Sequence, residues 1–286
     1  MMNQCLSYEP DHAWPASLSC QFHQTSLGNT SLAEISHAGP LRVQKLFHDQ
    51  DLAHCYVLHP PGGMVSGDGL DCRFRLHPQA KVLITTPASG KLYRSRKNGS
   101  MQTTRTVLEV DAGATCAYLP QDTIVFDGAN GDLETQILLD ASATYFGWEH
   151  MIFGRSAGSL PFRSGRLSQR LSVYRDRRLL YRDNLQINPE TLASASGLDG
   201  LTSLASGLLI LRQGSEGTDA VVKSCRQIVE DFPGKSGVTA IRDGLISIRL
   251  LSVRAEDTRS ALELLWSTVG EQIMARTVEI PRIWRT

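Results

Sequence analysis

The sequence predicts a mainly β protein: a layered or coiled all-β body, followed by a small C-terminal α+β layer that carries two helices. Short apolar or alternating runs, broken by Gly, Pro, Asn and Asp, fill the chain from Trp14 to about Leu185 with almost no 3.6-residue periodicity. After about residue 200 helical periodicity appears. We therefore expect a mainly-β body over residues 1–200 and a β-α-β-β-α layer over residues 201–286, packed together as one compact unit.

Strands of the body are predicted where apolar residues alternate or cluster between turn residues. The clearest runs are Ala16–Cys20, Ser31–Ser36, Ala53–Leu58, Cys72–Leu76, Lys81–Thr86, Thr103–Val110, Ala114–Leu119, Thr123–Phe126 and Glu134–Leu139. These runs share no strict repeat, so the sequence does not favour a regular solenoid.

The C-terminal layer begins with a predicted strand over Gly207–Gln213 and a helix over Thr218–Asp231, which Pro233 and Gly234 stop. A hairpin is expected next, because Asp243-Gly244 separates two apolar runs. The second helix carries an apolar stripe that should pack on the β body; its members are Leu262, Leu265, Trp266, Val269 and Ile273.

Composition sets limits on partners and compartment. Lys plus Arg total 29 and Asp plus Glu total 29, so no global field attracts nucleic acid or an anionic membrane. The six cysteines show no C-x-x-C or paired metal spacing, and the N-terminus lacks an apolar segment behind basic residues. The longest apolar stretch, Leu204–Leu211, is too short to span a bilayer. These features predict reduced thiols in a cytoplasmic protein.

The most constrained stretch runs from Leu58 to Arg94. Pro60 and Pro61 fix φ, while Gly62, Gly63 and Gly67 allow positive φ or a close approach of the backbone. We predict a rigid structural loop here, of the kind that carries recognition surfaces and sites on a strand scaffold. An ordinary turn-rich connection is the alternative.

Two enzyme-like patterns lack the partners that they need. Residues 154–158 match the G-x-S-x-G nucleophile elbow, but a hydrolase of that type needs a histidine later in the chain, and the last histidine is His150. The spacing of His48, His54 and His59 would allow the first two to share a strand face and would exclude the third. A three-histidine metal site is therefore not favoured.

Four carboxylates stand at predicted strand ends or turns: Asp68, Asp122, Asp127 and Glu149. Acids are common in turns, so solvated turn residues are one interpretation. Acids that converge inside the sheet body would instead form a path for a divalent cation, or an acid/base pair.

A series of short motifs gives the sequence a specific resemblance. They are Gly39-Pro40-Leu41-Arg42-Val43-Gln44, His59-Pro60-Pro61-Gly62-Gly63 with Gly67-Asp68, Thr85-Thr86-Pro87, Lys91-Leu92-Tyr93-Arg94-Ser95, Leu119-Pro120-Gln121-Asp122-Thr123-Ile124, Phe126-Asp127-Gly128-Ala129, Gly154-Arg155 and Pro281-Arg282-Ile283-Trp284. In this order they resemble the urease accessory protein D family, called H in some species, from about Trp14 to the C-terminus. Two acids of the family pattern are absent, because Gly69 and Ser159 occupy their positions.

The resemblance implies a non-enzymatic urease maturation factor with a mainly β fold. Members bind apo-urease and the accessory protein F, and through F the GTPase G, and an internal passage is thought to lead nickel to urease. Nickel would be transient and no cofactor tightly bound. On this basis Asp68, Asp122, Asp127 and Glu149 are candidate stations for nickel, and Tyr93, Arg94, Arg155, Trp266 and Trp284 are candidate interaction residues. A β-fold hydrolase using a carboxylate pair, and a plain structural adaptor without a metal role, remain the alternatives.

Overall fold

The computed structural model describes residues 13–97, 99–155 and 158–285. Its strands are β1 (Pro15–Gln24), β2 (Thr30–Ala38), β3 (Leu46–Asp49), β4 (Leu52–Tyr56), β5 (Gly69–Leu76), β6 (Lys81–Thr85), β7 (Gly90–Leu92), β8 (Gln102–Val110), β9 (Thr115–Tyr118), β10 (Thr123–Val125), β11 (Asn130–Leu139), β12 (Thr144–Phe153), β13 (Arg166–Arg175), β14 (Arg178–Ile187), β15 (Ser203–Ile210), β16 (Lys235–Arg242) and β17 (Leu245–Ser252). The helices are α1 (Pro189–Ala193), α2 (Thr218–Ile228) and α3 (Ala255–Met274), and a 3-10 turn covers Arg282–Arg285. The mainly β fold class is confirmed.

The strands form two sheets between which the chain alternates. The seven-stranded sheet has the order β14-β13-β11-β8-β5-β1-β2, and the ten-stranded sheet has the path β16-β17-β15-β12-β9-β6-β4-β3 with β10 and β7 attached to β12. From β4 to β13 the longer strands fall alternately in one sheet and the other, and neighbours such as β5 and β8 or β6 and β9 are parallel. The body is therefore a coil of paired layers, closed at its ends by antiparallel strands such as β2 and β14.

The C-terminal strands continue the larger sheet. β15 pairs antiparallel with β12 along eight residues, and β17 then pairs with β15. Every residue of β15 is buried, because the opposite sheet covers one face and the helices cover the other. The β-α-β-β-α order predicted for the tail is confirmed.

The core lies in two layers, one on each side of the ten-stranded sheet. Between the sheets, inward-facing apolar residues of alternating strands meet, among them Phe22, Phe74 and Ile137. On the outer side, Trp266 and Leu265 of α3 pack on apolar residues of the sheet together with α2. None of the helices in the described part of the chain combines the length and apolar character that crossing a bilayer requires.

The short helix α1 is not among the predicted elements. Asn188 accepts a hydrogen bond from the main-chain N–H of Thr191, and the Thr191 side chain accepts one from the N–H of Asn188. Pro189 follows the cap, so the Asn-Pro-Glu-Thr sequence at 188–191 is the local signal that could have revealed this helix.

Candidate functional site

The Gly/Pro loop between β4 and β5 is pinned to β7. The N–H of Met64 donates to the carbonyl of Lys91 at 2.8 Å, and the N–H of Tyr93 donates to the carbonyl of Met64 at 3.0 Å. Gly62 and Gly67 have φ values of 73° and 87°. Gly63 has an ordinary φ, but a Cβ there would lie 2.4 Å from a ring carbon of Tyr93. The prediction that these glycines have positive φ or lie in closely packed positions is confirmed. Gly62 and Gly67 have positive φ, whereas Gly63 is needed because a side chain there would clash with Tyr93.

This loop borders a cavity of about 250 Å³ that lies between the two sheets and is partly open to the surface. Surface loops line part of it, including His59, Gly62–Met64 and Thr86–Lys91. Much of the rest is lined by residues of both sheets, among them Leu70, Cys72, Phe74, Thr104, Thr106, Leu133, Glu134 and Thr135 from the smaller sheet, and Ile84, Tyr118, Glu149, His150 and Met151 from the larger sheet. The lining is thus mostly apolar, with hydroxyl groups, two glutamates (Glu134 and Glu149) and two histidines (His59 and His150).

Of the four predicted acids, Glu149 is the one that the fold brings to the cavity. Its side chain accepts a hydrogen bond from the Thr135 hydroxyl, while Oε2 is enclosed and has no hydrogen-bond partner among the described residues. Burial raises the pKa of Glu149 from 4.5 to about 7; nearby Asp183 adds to the rise, whereas the Thr135 hydrogen bond and Arg249 oppose it. The group is therefore a mixture of carboxylic acid and carboxylate near neutral pH.

Three polar residues near Glu149, namely Asp183, Ser206 and Arg249, come from strands that are distant from it in sequence. Arg249 of β17 pairs with Asp183 of β14 and donates to the Ser206 hydroxyl of β15. Ser206 lies directly opposite Glu149 in the β12–β15 register, and Arg249 lies opposite Ser206. A row of polar, partly buried side chains therefore extends from Glu149 across the larger sheet and then bridges to the smaller one.

The other three predicted acids do not line the cavity. Asp68 is buried and accepts the main-chain N–H groups of Trp14 and Val65, at 3.1 and 2.8 Å. Its carboxylate therefore ties the start of β1 to the Gly/Pro loop. Asp122 is 2% exposed and accepts a hydrogen bond from Arg259 of α3 at 2.5 Å.

Asp127 organises the surface loop that follows β12. Its Oδ1 accepts the main-chain N–H groups of Arg163 and Ser164 and the hydroxyl of Ser164, at distances from 2.8 to 2.9 Å, and its Oδ2 pairs with Arg94. Although partial burial alone would raise the pKa of Asp127, these hydrogen bonds and Arg94 lower it overall. Asp127 is thus a capping group of a loop, and the four acids do not converge.

The predicted interaction residues occupy two different environments. Tyr93 packs on Phe126 with ring centroids 4.9 Å apart, and the guanidinium of Arg155 lies 5.2 Å from the centroid of the same ring. These two residues and Arg94 lie together on loops at one end of the coil.

The two tryptophans of the tail are packing residues. Trp266 is fully buried and donates its Nε1–H to the carbonyl of Glu279 at 3.0 Å, so its side chain offers no surface to a partner and that part of the prediction is wrong. Trp284 is half-buried, donates to the hydroxyl of Thr85 at 2.8 Å and stacks near Trp148 with centroids 5.9 Å apart. The C-terminus is tied to the body by this contact.

The histidines and thiols do not assemble a metal centre. His48 lies opposite Ala53 and His54 opposite Phe47 in the β3–β4 register, so these histidines face opposite sides of the sheet and the expectation of a shared face is wrong. Within residues 13–97, 99–155 and 158–285, no group of three His, Cys, Asp or Glu side chains has a metal-binding geometry. Burial raises the pKa of the Cys72 thiol to about 12, with smaller contributions from Asp71 and Cys20, so the thiol beside the cavity stays protonated.

The buried histidine His150 belongs to a polar chain beneath α3. Its Nε2 lies 2.8 Å from the Ser203 hydroxyl, which in turn donates to Thr258 of α3 at 2.9 Å. Burial lowers the pKa of His150 to about 4 despite the opposing influence of Asp122. This serine–histidine pair is buried, although His150 also borders the cavity, and Ser156 of the elbow pattern lies outside the described residues.

Sequence reasoning missed the hydroxyl groups around Glu149 and the Asp183–Arg249 pair. Thr104, Thr106 and Thr135 occupy alternating inward positions on neighbouring strands, where an apolar residue would be expected. That replacement of apolar residues by threonine on an inward face was the available signal.

Comparisons with known protein sequences agree with the motifs. The sequence model of the UreD urease accessory protein family matches residues 15–285. The chain is 36% identical over 282 residues to the urease accessory protein UreD of Alcanivorax borkumensis, which covers 96% of this chain and 92% of that protein. It is 34% identical to UreD of Saccharophagus degradans (90% and 88% covered) and 36% identical to UreD of a Janthinobacterium species (95% and 91% covered). The chain therefore belongs to the UreD family of urease accessory proteins.

Proposed function

We propose that this chain is a cytoplasmic, non-catalytic maturation factor that binds apo-urease together with the accessory protein F, and through F the GTPase G, and passes nickel(II) through the cavity between its sheets. Membership of the family supports the role in urease maturation. The observation that carries the transfer step is the interior cavity with Glu149 in its wall.

The size of the cavity suits a partly hydrated ion. A volume of about 250 Å³ accommodates several water molecules. Nickel(II) moving between the sheets could thus keep part of its hydration shell, which avoids the large free-energy cost of transferring a bare cation into an apolar interior.

The donors around the cavity suit transfer better than storage. Hydroxyl groups of Thr106 and Thr135 and the carboxylate of Glu149 are oxygen donors, which hold nickel less tightly than thiolates do. The imidazoles of His59 and His150 also border the cavity, but no three ligands among the described residues are grouped around one point. The soft donors in the wall are the thiol of Cys72 and the thioethers of Met64 and Met151. The raised pKa of Cys72, about 12, keeps it as a thiol that competes poorly for the ion.

Glu149 makes the transfer dependent on pH. Because its pKa is about 7, nickel must compete with a proton for this carboxylate near neutrality. The exchange of a proton for a cation keeps the buried side chain from carrying an unbalanced charge, and the ion can leave when the proton returns.

Glu149 also separates the proposed function from its two alternatives. A hydrolase would need two carboxylates that face each other, whereas Asp68, Asp122 and Asp127 are engaged in hydrogen bonds or ion pairs away from Glu149. The structural adaptor gains support from the same three acids, since each of them holds a loop in place. The two remaining candidates therefore differ in whether Glu149 matters to nickel.

The test is urease activation in a reconstituted assembly of apo-urease, this chain, F, G, GTP and nickel. We expect Glu149→Gln to co-purify with apo-urease and F as the wild type does, but to activate urease several-fold more slowly. Glu109→Gln, a matched change at a half-exposed carboxylate of β8 outside the cavity, should activate normally. Full activation by Glu149→Gln would show that the Glu149 carboxylate is not needed for nickel transfer and would favour the structural adaptor. Failure of the wild type to retain apo-urease would overturn the maturation role.

A further inference from the structure

One end of the coil carries a continuous surface of loops, which we call the cap. It comprises residues 13–14, 64–68, 93–97, 99–101, 126–130, 154–155 and 158–165. Main-chain hydrogen bonds join these loops: Gly67 donates to Met101 at 3.1 Å, Ser95 to Gly128 at 2.8 Å and Gly128 to Ser164 at 2.8 Å. Asp68 connects residue 14 to residues 64–68, and Asp127 connects residues 126–130 to residues 158–165. The cap is therefore one fixed surface.

Apolar side chains are concentrated on this surface. Trp14 is 56% exposed, Val65 42%, Met101 43% and Leu160 48%, and these are four of the eleven large hydrophobic side chains that are exposed in the described part of the chain. Trp14 and Val65 lie close together because both main-chain N–H groups donate to Asp68. A cluster of exposed apolar groups on fixed loops is typical of an interaction surface.

The same loops carry basic groups. The cap loops contain Arg94, Arg96, Lys97, Arg155 and Arg163, and their acids are Asp68 and Asp127 alone. Asp68 is buried, and Asp127 is paired with Arg94. Arg155 is held over the Phe126 ring, which fixes its guanidinium at low cost in conformational entropy. The exposed charge of the cap is thus positive in a chain whose formal net charge is zero.

The cap also adjoins the cavity. Gly62, Gly63 and Met64 line the cavity, and the cap loop continues directly from them through residue 68. Lys91 and Leu92 line it as well, immediately before Tyr93 and Arg94. A protein bound to the cap would therefore lie beside the loops through which the cavity approaches the surface.

We propose that the cap is the docking surface for apo-urease, and that the docked face presents carboxylates around an apolar patch. The identity of the partner rests on the proposed function, whereas its chemistry follows from the cap. Trp, Met and Arg are the residues enriched at the centres of protein interfaces, and a rim of charges of one sign selects a partner of the opposite sign. Exposed Trp14, Val65 and Met101 among the basic groups favour a folded protein over a nucleic acid, whose phosphates need no apolar contact.

The test measures the affinity of the full-length chain for purified apo-urease in surface variants. Lys97→Glu with Arg163→Glu reverses two exposed charges and spares Asp127, because Arg163 reaches Asp127 through its main-chain N–H. Trp14→Ala removes the most exposed apolar group of the cap. The matched control, Arg177→Glu with Arg178→Glu, makes the same charge change at the β13–β14 turn, about 30 Å away at the other end of a ten-residue strand.

We expect the charge reversal to weaken binding at least about tenfold, with the difference shrinking as salt rises, and the control to bind within about twofold of wild type. Trp14→Ala should weaken binding at least about fivefold with little salt dependence. Equal binding by wild type and all cap variants would overturn the docking surface and leave the proposed function intact. If the wild type does not bind apo-urease, both the docking surface and the proposed function are overturned. Tight binding to duplex DNA or to phosphatidylserine vesicles that depends on the cap, with no binding to apo-urease, would show that the cap recognises that other class of partner and would overturn the docking proposal.

Discussion

Replacing Glu149 by Gln should change how the free energy of unfolding depends on pH. The pKa of Glu149 is 4.5 in the unfolded chain and about 7 in the folded protein, because the buried cavity wall disfavours the carboxylate. Between these values the folded state binds more protons than the unfolded state, so stability falls as pH rises. The contribution is fully present below the unfolded pKa and is lost as pH passes through the folded pKa.

The size of this effect follows from the pKa difference. Each pKa unit corresponds to about 1.4 kcal/mol, so a shift of roughly 2.5 units costs the wild type on the order of 3 kcal/mol at pH 8 relative to pH 4. Gln has nearly the same shape as protonated Glu but cannot ionise. It should accept the hydrogen bond from Thr135 through its amide oxygen, although its N–H₂ group then occupies the place of the unpartnered Oε2.

The assay is urea unfolding of both proteins, followed by tryptophan fluorescence at a series of pH values from 4 to 8. The difference between the free energies of unfolding of Glu149→Gln and wild type cancels the titration of all other groups, including His150. This difference should rise with pH by about 3 kcal/mol and level off above the folded pKa. A difference that stays constant with pH would refute the reasoning, since it would mean that Glu149 is already ionised and solvated in the folded protein.

Three further predictions concern the supports of the site. Gly63→Val should destabilise the protein by roughly 1–3 kcal/mol because the added Cβ meets Tyr93, whereas Gly237→Val, where a Cβ meets nothing within 4 Å, should be nearly neutral. Equal melting temperatures of the two variants would show that the loop adjusts to make room for the added side chain. Trp266→Ala should lower the free energy of unfolding by roughly 3–5 kcal/mol in chemical unfolding, whereas Leu264→Ala, at a half-exposed position of the same helix, should lower it by under about 0.5 kcal/mol. Similar losses for the two variants would contradict the burial of Trp266. Asp127→Ala should lower the free energy of thermal unfolding by roughly 1–3 kcal/mol because it leaves two main-chain N–H groups unpaired, and Asp127→Asn should lower it less because an oxygen acceptor remains. An equally large loss for Asp127→Asn would show that the charge of Asp127, rather than its hydrogen bonds, stabilises the loop.

Local patterns were sufficient wherever a feature depends on neighbours in sequence. Alternating apolar residues in Thr103–Val110 predict β8, which spans Gln102–Val110, because a strand shows its inward face every second residue. Asp243-Gly244 predicts the β16–β17 hairpin, because that dipeptide suits a tight turn. Gly62 and Gly67 were recognisable as turn residues for the same reason.

The acids show where local reasoning stops. Asp68, Asp122, Asp127 and Glu149 look alike in sequence, since each stands near a strand end or turn. Asp68 and Asp127 cap the N–H groups of loops, and Asp122 meets Arg259 from a helix 137 residues away. Glu149 alone among the four lines the cavity. A carboxylate is drawn to whichever donors the fold places nearest, and those donors come from distant parts of the chain.

The sequence by itself determined many of the strands, the order of the C-terminal elements, the Gly/Pro loop and the family. Each of these depends on residue spacing, backbone conformation or short motifs. In contrast, β3, β7, β12, β13 and β14 were not among the predicted runs, and β15 lies at Ser203–Ile210 rather than Gly207–Gln213. Tertiary structure alone decided that the strands alternate between two sheets and enclose a cavity, and that Thr135 of one sheet meets Glu149 of the other. It also buried Trp266 and assembled the cap from loops spread over residues 13–165. The physical reason is that the winding of the coil sets which residues face each other across the sheets, and winding depends on the pairing of distant strands rather than on any local pattern.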